Sequence, residues 1–262
     1  MKRLIYQVYT GKRSNLYDFC VDSVMAYSER YGIDHIVQKD PQMRIKPDIF
    51  ATNRSTESYE KYGGFLPIYE KENAFDYWDL YDQIAIIDAD VWISPKAPNI
   101  FEEIGDADFA GVVEREMPIL PWYRDKIKNY SQMQYHPLRQ EADFAPMPNT
   151  GYEFFNMGVM LMNNSISKYL GEDSGKEFIQ RPEFKRFVDG LGAWKWSTDQ
   201  TLLNYWVRKE KMNLTRLDWK WNALYTAVSN EHLREAHFVH FFLKDKLPQR
   251  GENIEELRKV VE

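Results

Sequence analysis

Apolar and polar positions alternate along the chain in blocks whose period switches between that of a strand and that of a helix. Residues 3–9 are rich in β-forming side chains and end at a Thr-Gly pair, which predicts a strand followed by a turn. A set of apolar residues then recurs at helical spacing before Gly32: Leu16, Phe19, Cys20, Val24 and Tyr27. With a second short strand at 34–37, this opening is a β-α-β unit, which indicates a parallel sheet.

The rest of the chain continues this alternation of strands and helices. Residues 84–87 form an unbroken apolar run, the pattern of a strand that is buried on both faces. Further strands are predicted at 108–113, 157–162 and 236–242, and helices at 69–80, 176–188 and 198–208. Three aromatic residues of these helices fall on predicted core faces: Phe75, Trp78 and Trp206. The pattern predicts one α/β domain over residues 1–262, with neither an internal repeat nor a linker.

Residues 117–150 break the alternation. Five prolines interrupt the segment, and four aromatic residues are interleaved with them: Trp122, Tyr123, Tyr130 and Tyr135. A long irregular segment inside a compact domain is usually a lid or a binding loop, which is what we expect here. The aromatic faces suit the apolar face of a sugar ring, although ordinary loop packing explains each single ring equally well.

Composition and charge exclude several classes of protein. Of 262 residues, 34 are Lys or Arg and 40 are Asp or Glu, so the formal net charge is −6, which disfavours a general nucleic-acid binder. The single cysteine, Cys20, excludes an intramolecular disulfide and a cysteine-based zinc site. No apolar run approaches the ~20 residues of a membrane span, and the N-terminus lacks a signal-peptide pattern. We therefore expect a cytoplasmic protein without a transmembrane segment.

Two acids, Asp88 and Asp90, follow the buried strand at 84–87 directly. Alternate residues of a strand point the same way, and ligands of open α/β sheets bind at the carboxyl ends of the strands. Two close carboxylates repel each other unless a cation bridges them, so the pair is a candidate site for Mg²⁺ or Mn²⁺. The alternative is a turn in which one acid caps the chain, and we interpret the similar triplet at 106–108 as such a turn.

Other polar residues interrupt apolar segments and are further candidates. His240 could be a third metal ligand, which would favour Mn²⁺ over Mg²⁺, or a core histidine; Lys244 and Lys246 follow as a phosphate clamp or as solvated charges. In the strand at 155–163, an internal Gly158 suggests the close approach of a ligand or another backbone. Asn156 of the same strand suits sugar hydroxyls. Ser197 with Gln200 matches a capping box, which by itself would also explain Asp199 in the first helical turn.

Taken in order, these pieces resemble the family 8 glycosyltransferases, nucleotide-sugar transferases with the GT-A fold. The matching segments span nearly the whole chain: residues 8–10, 81–90, 155–163, 199–204 and 240–246. The resemblance implies a single-domain GT-A (Rossmann-like) α/β fold, with a mixed, mainly parallel sheet flanked by helices. It also implies transfer of a hexose from a UDP-sugar to a hydroxyl of a carbohydrate or glycoconjugate acceptor, with retention of the anomeric configuration.

The resemblance further implies a role for each matching residue. Asp88, Asp90 and His240 would hold Mn²⁺, with Mg²⁺ as the alternative, at the donor diphosphate. The donor would be bound by Val8, Tyr9 and Thr10 at the uracil and ribose, by Lys71 and Asn156 at the sugar or phosphate, by Ala89, and by Lys246 at the diphosphate. Asp199 and Gln200 would lie near the anomeric carbon as the catalytic candidates. Residues 117–150 would form the acceptor-side wall.

The sequence departs from the family pattern at its end, where Leu243 replaces a glycine and Leu247-Pro248 replaces Pro-Trp.

Two other functions compete with the transferase. One is a non-catalytic protein that binds nucleotide-sugars or carbohydrates on the same fold, which would not need the metal residues. The other is a metal-dependent phosphoesterase or nucleotidyltransferase, which would leave Asn156, Asp199 and Gln200 without roles.

Overall fold

The computed structural model describes residues 1–149 and 151–262. Thr150, the last residue of the predicted binding loop, lies outside the described residues. Eleven strands are found in the described part of the chain: β1 Arg3–Val8, β2 Asp34–Gln38, β3 Gln83–Ile87, β4 Val91–Ile93, β5 Phe109–Val113, β6 Pro146–Met147, β7 Gly151–Tyr152, β8 Phe155–Asn163, β9 Leu214–Leu217, β10 Ala223–Leu224 and β11 Phe238–His240.

Eight α-helices and a set of 3₁₀ helices connect the described strands. The α-helices are α1 Asn15–Tyr31, α2 Pro121–Tyr135, α3 Ser167–Leu170, α4 Gly175–Ile179, α5 Lys185–Val188, α6 Asp199–Lys209, α7 Asn230–Glu235 and α8 Ile254–Val261. The 3₁₀ helices are Thr56–Ser58, Glu60–Tyr62, Pro67–Tyr77, Ile100–Glu102, Glu114–Glu116, His136–Leu138, Asn164–Ile166, Pro182–Phe184, Gly192–Trp194, Trp219–Asn222, Lys244–Lys246 and Pro248–Gly251. None of the described helices is both long and apolar enough to cross a membrane.

The central sheet has six strands in the order β2-β1-β3-β8-β5-β9. Neighbouring strands run parallel except at β8, which is antiparallel to both β3 and β5. Helices flank the sheet, so the predicted mixed, mainly parallel α/β fold is confirmed. Because β8 runs against β3, the beginning of β8 lies beside the end of β3, with Val159 paired to Ile87. The acids that follow β3 and the polar residues at the beginning of β8, about 70 residues apart in the sequence, therefore meet at the end of the sheet where β3 ends.

A second sheet of three strands, in the order β10-β11-β4, extends from this end of the central sheet. β4 begins immediately after Asp90 and pairs antiparallel with β11, in a register that sets His240 opposite Val91. The backbone N–H of Phe241 donates to the carbonyl oxygen of Asp90 at 2.8 Å. This pairing brings the predicted third metal ligand to the acids, across about 150 residues of chain.

The core lies against both faces of the central sheet, and every residue of β3 and β5 is buried. The aromatic residues predicted for the core are there. Phe75, Trp78 and Trp206 are at most 6% exposed, and the ring centroids of Trp206 and Phe178 lie 4.5 Å apart. Much of the aromatic content of the chain is thus used in packing, which contributes to the free energy of folding through apolar burial.

The prediction of an irregular segment at 117–150 is wrong for residues 121–135, which form α2. Pro121 occupies the first helical position, where its missing N–H costs nothing and its fixed φ favours the helix. Tyr123 and Tyr135 are buried, and Tyr135 stacks on Phe144 and Phe154. Of the four aromatic residues proposed to hold a sugar, Trp122 is 38% exposed and Tyr135 is fully buried, whereas Tyr123 and Tyr130 line a cleft that is described below.

Three smaller predictions also need correction. The helix at 69–80 is a 3₁₀ helix, Pro67–Tyr77, and the helix at 176–188 is interrupted at Pro182, because proline cannot donate within a helix. The triplet at 106–108 is more than a turn, since Asp108 is buried immediately before β5. Its carboxylate accepts hydrogen bonds from these groups: the hydroxyls of Ser165 and Tyr169, the ammonium of Lys168 and the backbone N–H of Asn213.

Candidate functional site

The two acids lie in the turn that joins β3 to β4, as the alternative interpretation of this triplet predicts, and such a turn is compatible with a ligand site. The backbone N–H of Asp88 donates to the carbonyl oxygen of Gly158 at 2.8 Å, and that of Val91 donates to the carbonyl oxygen of Asp88 at 3.1 Å. The side-chain amide of Gln7 donates to the same carbonyl at 3.2 Å. These bonds hold the backbone of the turn and leave the carboxylates of Asp88 and Asp90 directed at His240.

Asp88, Asp90 and His240 form a compact cluster of potential metal ligands. Nε2 of His240 lies 3.3 Å from Oδ1 of Asp90 and 3.8 Å from Oδ2 of Asp88, and one ligand atom from each residue lies within 4.8 Å of the others. Burial opposes charging of the imidazole, yet the carboxylates, chiefly that of Asp90, raise the pKa of His240 overall. A site that attracts a proton in this way also suits a divalent cation.

Gly158 makes room for the imidazole. A Cβ on this residue would lie 2.4 Å from both Nδ1 and Cε1 of His240, which is closer than real Cβ atoms come to other atoms. The sequence predicted the close approach of a ligand or another backbone at this glycine, whereas the group that the structure places against it is the side-chain ring of His240. Nδ1 is buried and has no hydrogen-bond partner among the described residues. The packing against Gly158 orients the ring so that Nε2 is the atom directed at the acids.

Lys71 lies between the cluster of Asp88, Asp90 and His240 and the start of α6. Its ammonium lies 2.7 Å from Oδ1 of Asp88 and 2.7 Å from Oδ2 of Asp199, and it donates to the carbonyl oxygen of Met157 at 3.1 Å. Burial favours the neutral amine, but the carboxylate of Asp199, and after it that of Asp88, raises the pKa of Lys71 overall. The residue is therefore charged. Burial, partly offset by Lys71, raises the pKa of Asp199.

The 3₁₀ helix that contains Lys71 has polar residues that are buried. Residues 70–73 of the 3₁₀ helix are all buried. The carboxylate of Glu70 accepts backbone N–H bonds from Gln42, Met43 and Arg44, whereas neither oxygen of Glu72 has a hydrogen-bond partner among the described residues. Burial, followed by the charge of Asp199, raises the pKa of Glu72 well above its usual range.

Asn156 and Gln200 are held by the protein in fixed orientations. The amide oxygen of Asn156 accepts from the N–H of Gly158 and from Asn222, and its NH₂ donates to Glu114 at 2.8 Å. The amide oxygen of Gln200 accepts from the backbone N–H of Met157 at 3.2 Å. Both side chains nevertheless line the same cleft as Lys71.

The helix start at 197–200 differs from the predicted capping box. Thr198 is the N-cap, and its hydroxyl accepts from the N–H of Gln200 at 3.2 Å. Ser197 instead donates to the carbonyl oxygen of Phe187 at 2.6 Å. Because the cap does not need Asp199 or the side chain of Gln200, both are free to face the site.

Two clefts meet at this site and share Lys71, Asp88 and Asp199 as a common wall. The wide cleft, of about 420 Å³, also contains His240 and Gln200. The narrow cleft, of about 270 Å³, contains Asp90 and also Val8, Thr10, Ala89, Tyr17 and Tyr62. The cluster of Asp88, Asp90 and His240 thus lies at the boundary between two separate spaces.

Two of the predicted donor-binding residues lie elsewhere. The hydroxyl of Tyr9 donates to the carbonyl oxygen of Ser14 at 3.3 Å, and the residue lines neither cleft. Lys246 is exposed, with its ammonium 3.2 Å from the ring centroid of Trp122. Lys244, by contrast, lies 3.6 Å from the ring centroid of Tyr17 in the narrow cleft. Burial lowers the pKa of Lys244, while Asp90 partly opposes this shift.

Sequence reasoning missed Glu114 and Trp196, which both line the wide cleft. Glu114 is buried and accepts from the hydroxyl of Tyr123 and from Asn156; burial raises its pKa. Glu114 follows the buried strand β5 just as Asp88 follows β3, so the same argument from strand ends would have found it. Trp196 is 59% exposed and lies outside any regular pattern.

The six-stranded sheet, the acids after β3 and the late histidine together define a GT-A fold, and solved structures of sugar transferases share it. The galactosyltransferase LgtC, crystallised with donor and acceptor sugar analogues, matches with a TM-score of 0.52 at 13% identity, over 98% of this chain and 95% of that chain. An active-site mutant of LgtC matches with a TM-score of 0.54 at 13% identity and the same coverage.

Mouse xyloside xylosyltransferase 1, in its apo form, matches with a TM-score of 0.50 at 12% identity, over 95% of this chain and all of that one. No family model and no curated protein matches the sequence. At these identities the similarity establishes the fold, and it confirms at that level the resemblance to GT-A glycosyltransferases. The activity has to be argued from the site.

Proposed function

We propose that the protein is a metal-dependent glycosyltransferase that moves a hexose from a UDP-sugar to an acceptor hydroxyl with retention of the anomeric configuration. The observation that carries the proposal is the cluster of Asp88, Asp90 and His240 at the boundary of two clefts. A transferase needs one space for the nucleotide and another for the acceptor, with the charge-compensating group between them. A simple binding protein would need only one of these spaces.

In this proposal the narrow cleft holds the nucleotide. Val8, Thr10 and Ala89 line it and would contact the uracil, the ribose and the first phosphate. Asp88, Asp90 and His240 would hold Mn²⁺, or Mg²⁺ as the alternative. When bound, the ion would supply a Lewis acid that offsets the charge developing on the departing UDP.

The residues of the chain would position the donor sugar in the wide cleft. The three N–H groups of Lys71 are taken up by Asp88, Asp199 and the carbonyl of Met157, so Lys71 would act on the sugar or phosphate through its positive charge. Asn156 and Gln200 are pre-oriented by their bonds to Glu114 and Met157, so they would lose little side-chain entropy when the sugar binds. Such pre-oriented groups are suited to an oxocarbenium-like transition state, in which small errors of geometry are costly.

Asp199 and Gln200 remain our catalytic candidates. Both line the wide cleft beside Lys71. The ion pair with Lys71 reduces the nucleophilicity of the Asp199 carboxylate, and an amide such as that of Gln200 is a weak nucleophile. The arrangement therefore favours electrostatic stabilisation of the developing cation by Asp199 and the amide oxygen of Gln200 over a covalent intermediate at either residue.

The decisive experiment measures UDP release from a panel of UDP-hexoses and UDP-pentoses, with Mn²⁺, with Mg²⁺ and with a chelator. We expect turnover with at least one UDP-hexose in Mn²⁺ and none in chelator. Asp90→Asn should lower Mn²⁺-dependent UDP affinity by more than about tenfold. The exposed Asp106→Asn, which makes the same charge change away from the clefts, is the matched control and should behave as the wild type.

Three results would contradict the proposal in different ways. Tight UDP-sugar binding without turnover of any donor would favour the non-catalytic binding protein. Metal-dependent cleavage of simple phosphate esters in place of sugar transfer would favour the phosphoesterase. UDP affinity that is the same with Mn²⁺ and with chelator would contradict the metal assignment. Where water replaces the acceptor, the anomer of the free sugar, read by NMR, tests retention.

A further inference from the structure

Leu243, just after β11, has a backbone conformation that L residues rarely adopt. Its φ of 56° and ψ of 60° lie in the left-handed region, where the Cβ of an L residue approaches the carbonyl oxygen. Five other non-glycine residues in the described part of the chain have positive φ: Arg44, Asn149, Lys211, Gln249 and Arg250. None of those five lines either cleft, whereas Leu243 lines the wide one.

The position of Leu243 is imposed from both sides. On the N-terminal side, Phe241 is bonded to the carbonyl oxygen of Asp90, and the ring of Phe242 packs edge-on against Tyr123 with 5.4 Å between centroids. On the C-terminal side, the carbonyl oxygen of Leu243 accepts from the N–H of Lys246 at 2.8 Å and starts a 3₁₀ turn. The chain therefore runs from His240 directly into the cleft wall and reverses there.

The wall that Leu243 joins is the apolar part of the wide cleft. Its apolar members include Ile127 of α2, Met157, Trp196 and Phe242, and the same cleft carries the charged groups of Lys71 and Asp199. An apolar wall next to charged groups excludes water and strengthens their electrostatic action. It also suits the C–H face of a pyranose, which an aromatic ring such as that of Trp196 can cover.

A glycine at position 243 would take the same backbone conformation without strain. The strain is therefore present because of the leucine side chain, and that side chain is directed at the space where the proposed acceptor would bind. We propose that Leu243 determines acceptor specificity: it closes the acceptor side of the cleft against water and favours a sugar that presents an apolar face. This inference rests on the proposed function and adds to it the chemistry of the acceptor.

The competing reactions differ only in the attacking oxygen. With a sugar acceptor, the hydroxyl oxygen bonds to the anomeric carbon, the bond from that carbon to the phosphate oxygen breaks, UDP leaves with the electron pair, and the hydroxyl proton is released. With water, the same bonds change and the products are UDP and the free sugar. Removing the Leu243 side chain should admit water and shift the balance toward hydrolysis.

The test compares Leu243→Gly and Leu243→Ala with the wild type in Mn²⁺. For the best UDP-hexose of the panel, we expect donor hydrolysis to rise at least threefold in both variants, with UDP affinity within twofold of the wild type. Leu243→Gly should also raise Tm, because it removes the strain, and Leu243→Ala should not. Lys211→Gly, which relieves a similar left-handed residue at φ 52° outside both clefts, should raise Tm and leave hydrolysis unchanged.

Two outcomes would overturn the inference and are distinguishable from failure of the proposed function. Hydrolysis that is unchanged in both Leu243 variants would show that the side chain does not exclude water. Hydrolysis that falls together with UDP affinity would show that the residue acts on the donor. A wild-type protein that turns over no UDP-sugar would instead contradict the proposed function, and this inference with it.

Discussion

The imidazole of His240 lies directly against the backbone of Gly158, so closely that a Cβ on the glycine would come within 2.4 Å of the ring. One atom of side chain at position 158 therefore controls where the third candidate metal ligand lies. The glycine belongs to the central sheet and the histidine to the second sheet, so this is a contact between the two sheets.

Gly158→Ala should displace the imidazole from Asp88 and Asp90. We expect Mn²⁺-dependent UDP affinity to fall by about 10-fold to 100-fold, the range seen when groups that orient a metal ligand are disturbed. Titration calorimetry with UDP, with and without Mn²⁺, measures this. Gly111→Ala is the control, because its Cβ would press on Phe109 and Phe155 in the same sheet without reaching the cluster. Equal losses in both variants would contradict a specific effect on His240.

Lys71→Met removes the cation that lies between two acids. Breaking a buried ion pair typically costs about 3–5 kcal/mol, because the partner charges stay buried without compensation. We expect a loss of this order in the free energy of unfolding by denaturant, and a smaller loss in Mn²⁺, which would compensate Asp88. Lys168→Met is the control: its ammonium contacts Asp108 from an exposed position, so its loss should be far smaller and insensitive to Mn²⁺. A Mn²⁺-independent loss at Lys71 would count against the metal site.

Glu72→Gln should stabilise the protein increasingly as the pH rises. The folded-state pKa of Glu72 is raised, so between the ordinary carboxyl pKa and that raised value the folded protein holds a proton that the unfolded chain releases. The wild type therefore loses stability across this window, with a slope of up to about 1.4 kcal/mol per pH unit. Denaturant unfolding at pH 5 and pH 8 should show a larger advantage for the variant at pH 8.

Glu70→Gln is the matched control for that measurement. Its carboxylate accepts three backbone N–H bonds, so the same substitution there should destabilise the protein at both pH values. If Glu72→Gln were equally destabilising, Glu72 would have partners in solution that the structure does not show.

Lys244 and Lys246 are two residues apart, yet they lie at different aromatic rings. Lys244 contacts Tyr17 in the narrow cleft, whereas Lys246 contacts Trp122 on α2. We expect Lys244→Ala to weaken Mn²⁺–UDP binding by about tenfold, or about 1.4 kcal/mol, and Lys246→Ala to weaken it less than about twofold. The reverse result would support Lys246 as the diphosphate contact that the family resemblance implies, and would require it to leave Trp122 when the donor binds.

Several parts of the site could be predicted because the local sequence is sufficient for them. The run at 84–87 is wholly apolar and the acids follow it at once, so both the strand and the position of Asp88 and Asp90 at its end follow from burial and period. Gly158 inside β8 likewise indicated that some group approaches the strand closely. Other local signals were misinterpreted: five prolines suggested an irregular segment, although a proline at the first helical position begins α2.

The sequence by itself determined the α/β class, the central strands and the acids at the end of β3, because each depends on patterns within some ten residues. The family resemblance grouped the candidate site residues, and only the tertiary structure decided how they contact one another. His240 reaches Asp90 through the pairing of β11 with β4, Lys71 lies between acids from two elements, and Lys244 and Lys246 of one 3₁₀ turn reach different aromatic rings. The physical reason is that strand pairing and register between distant segments depend on packing of the whole core, which no local pattern records.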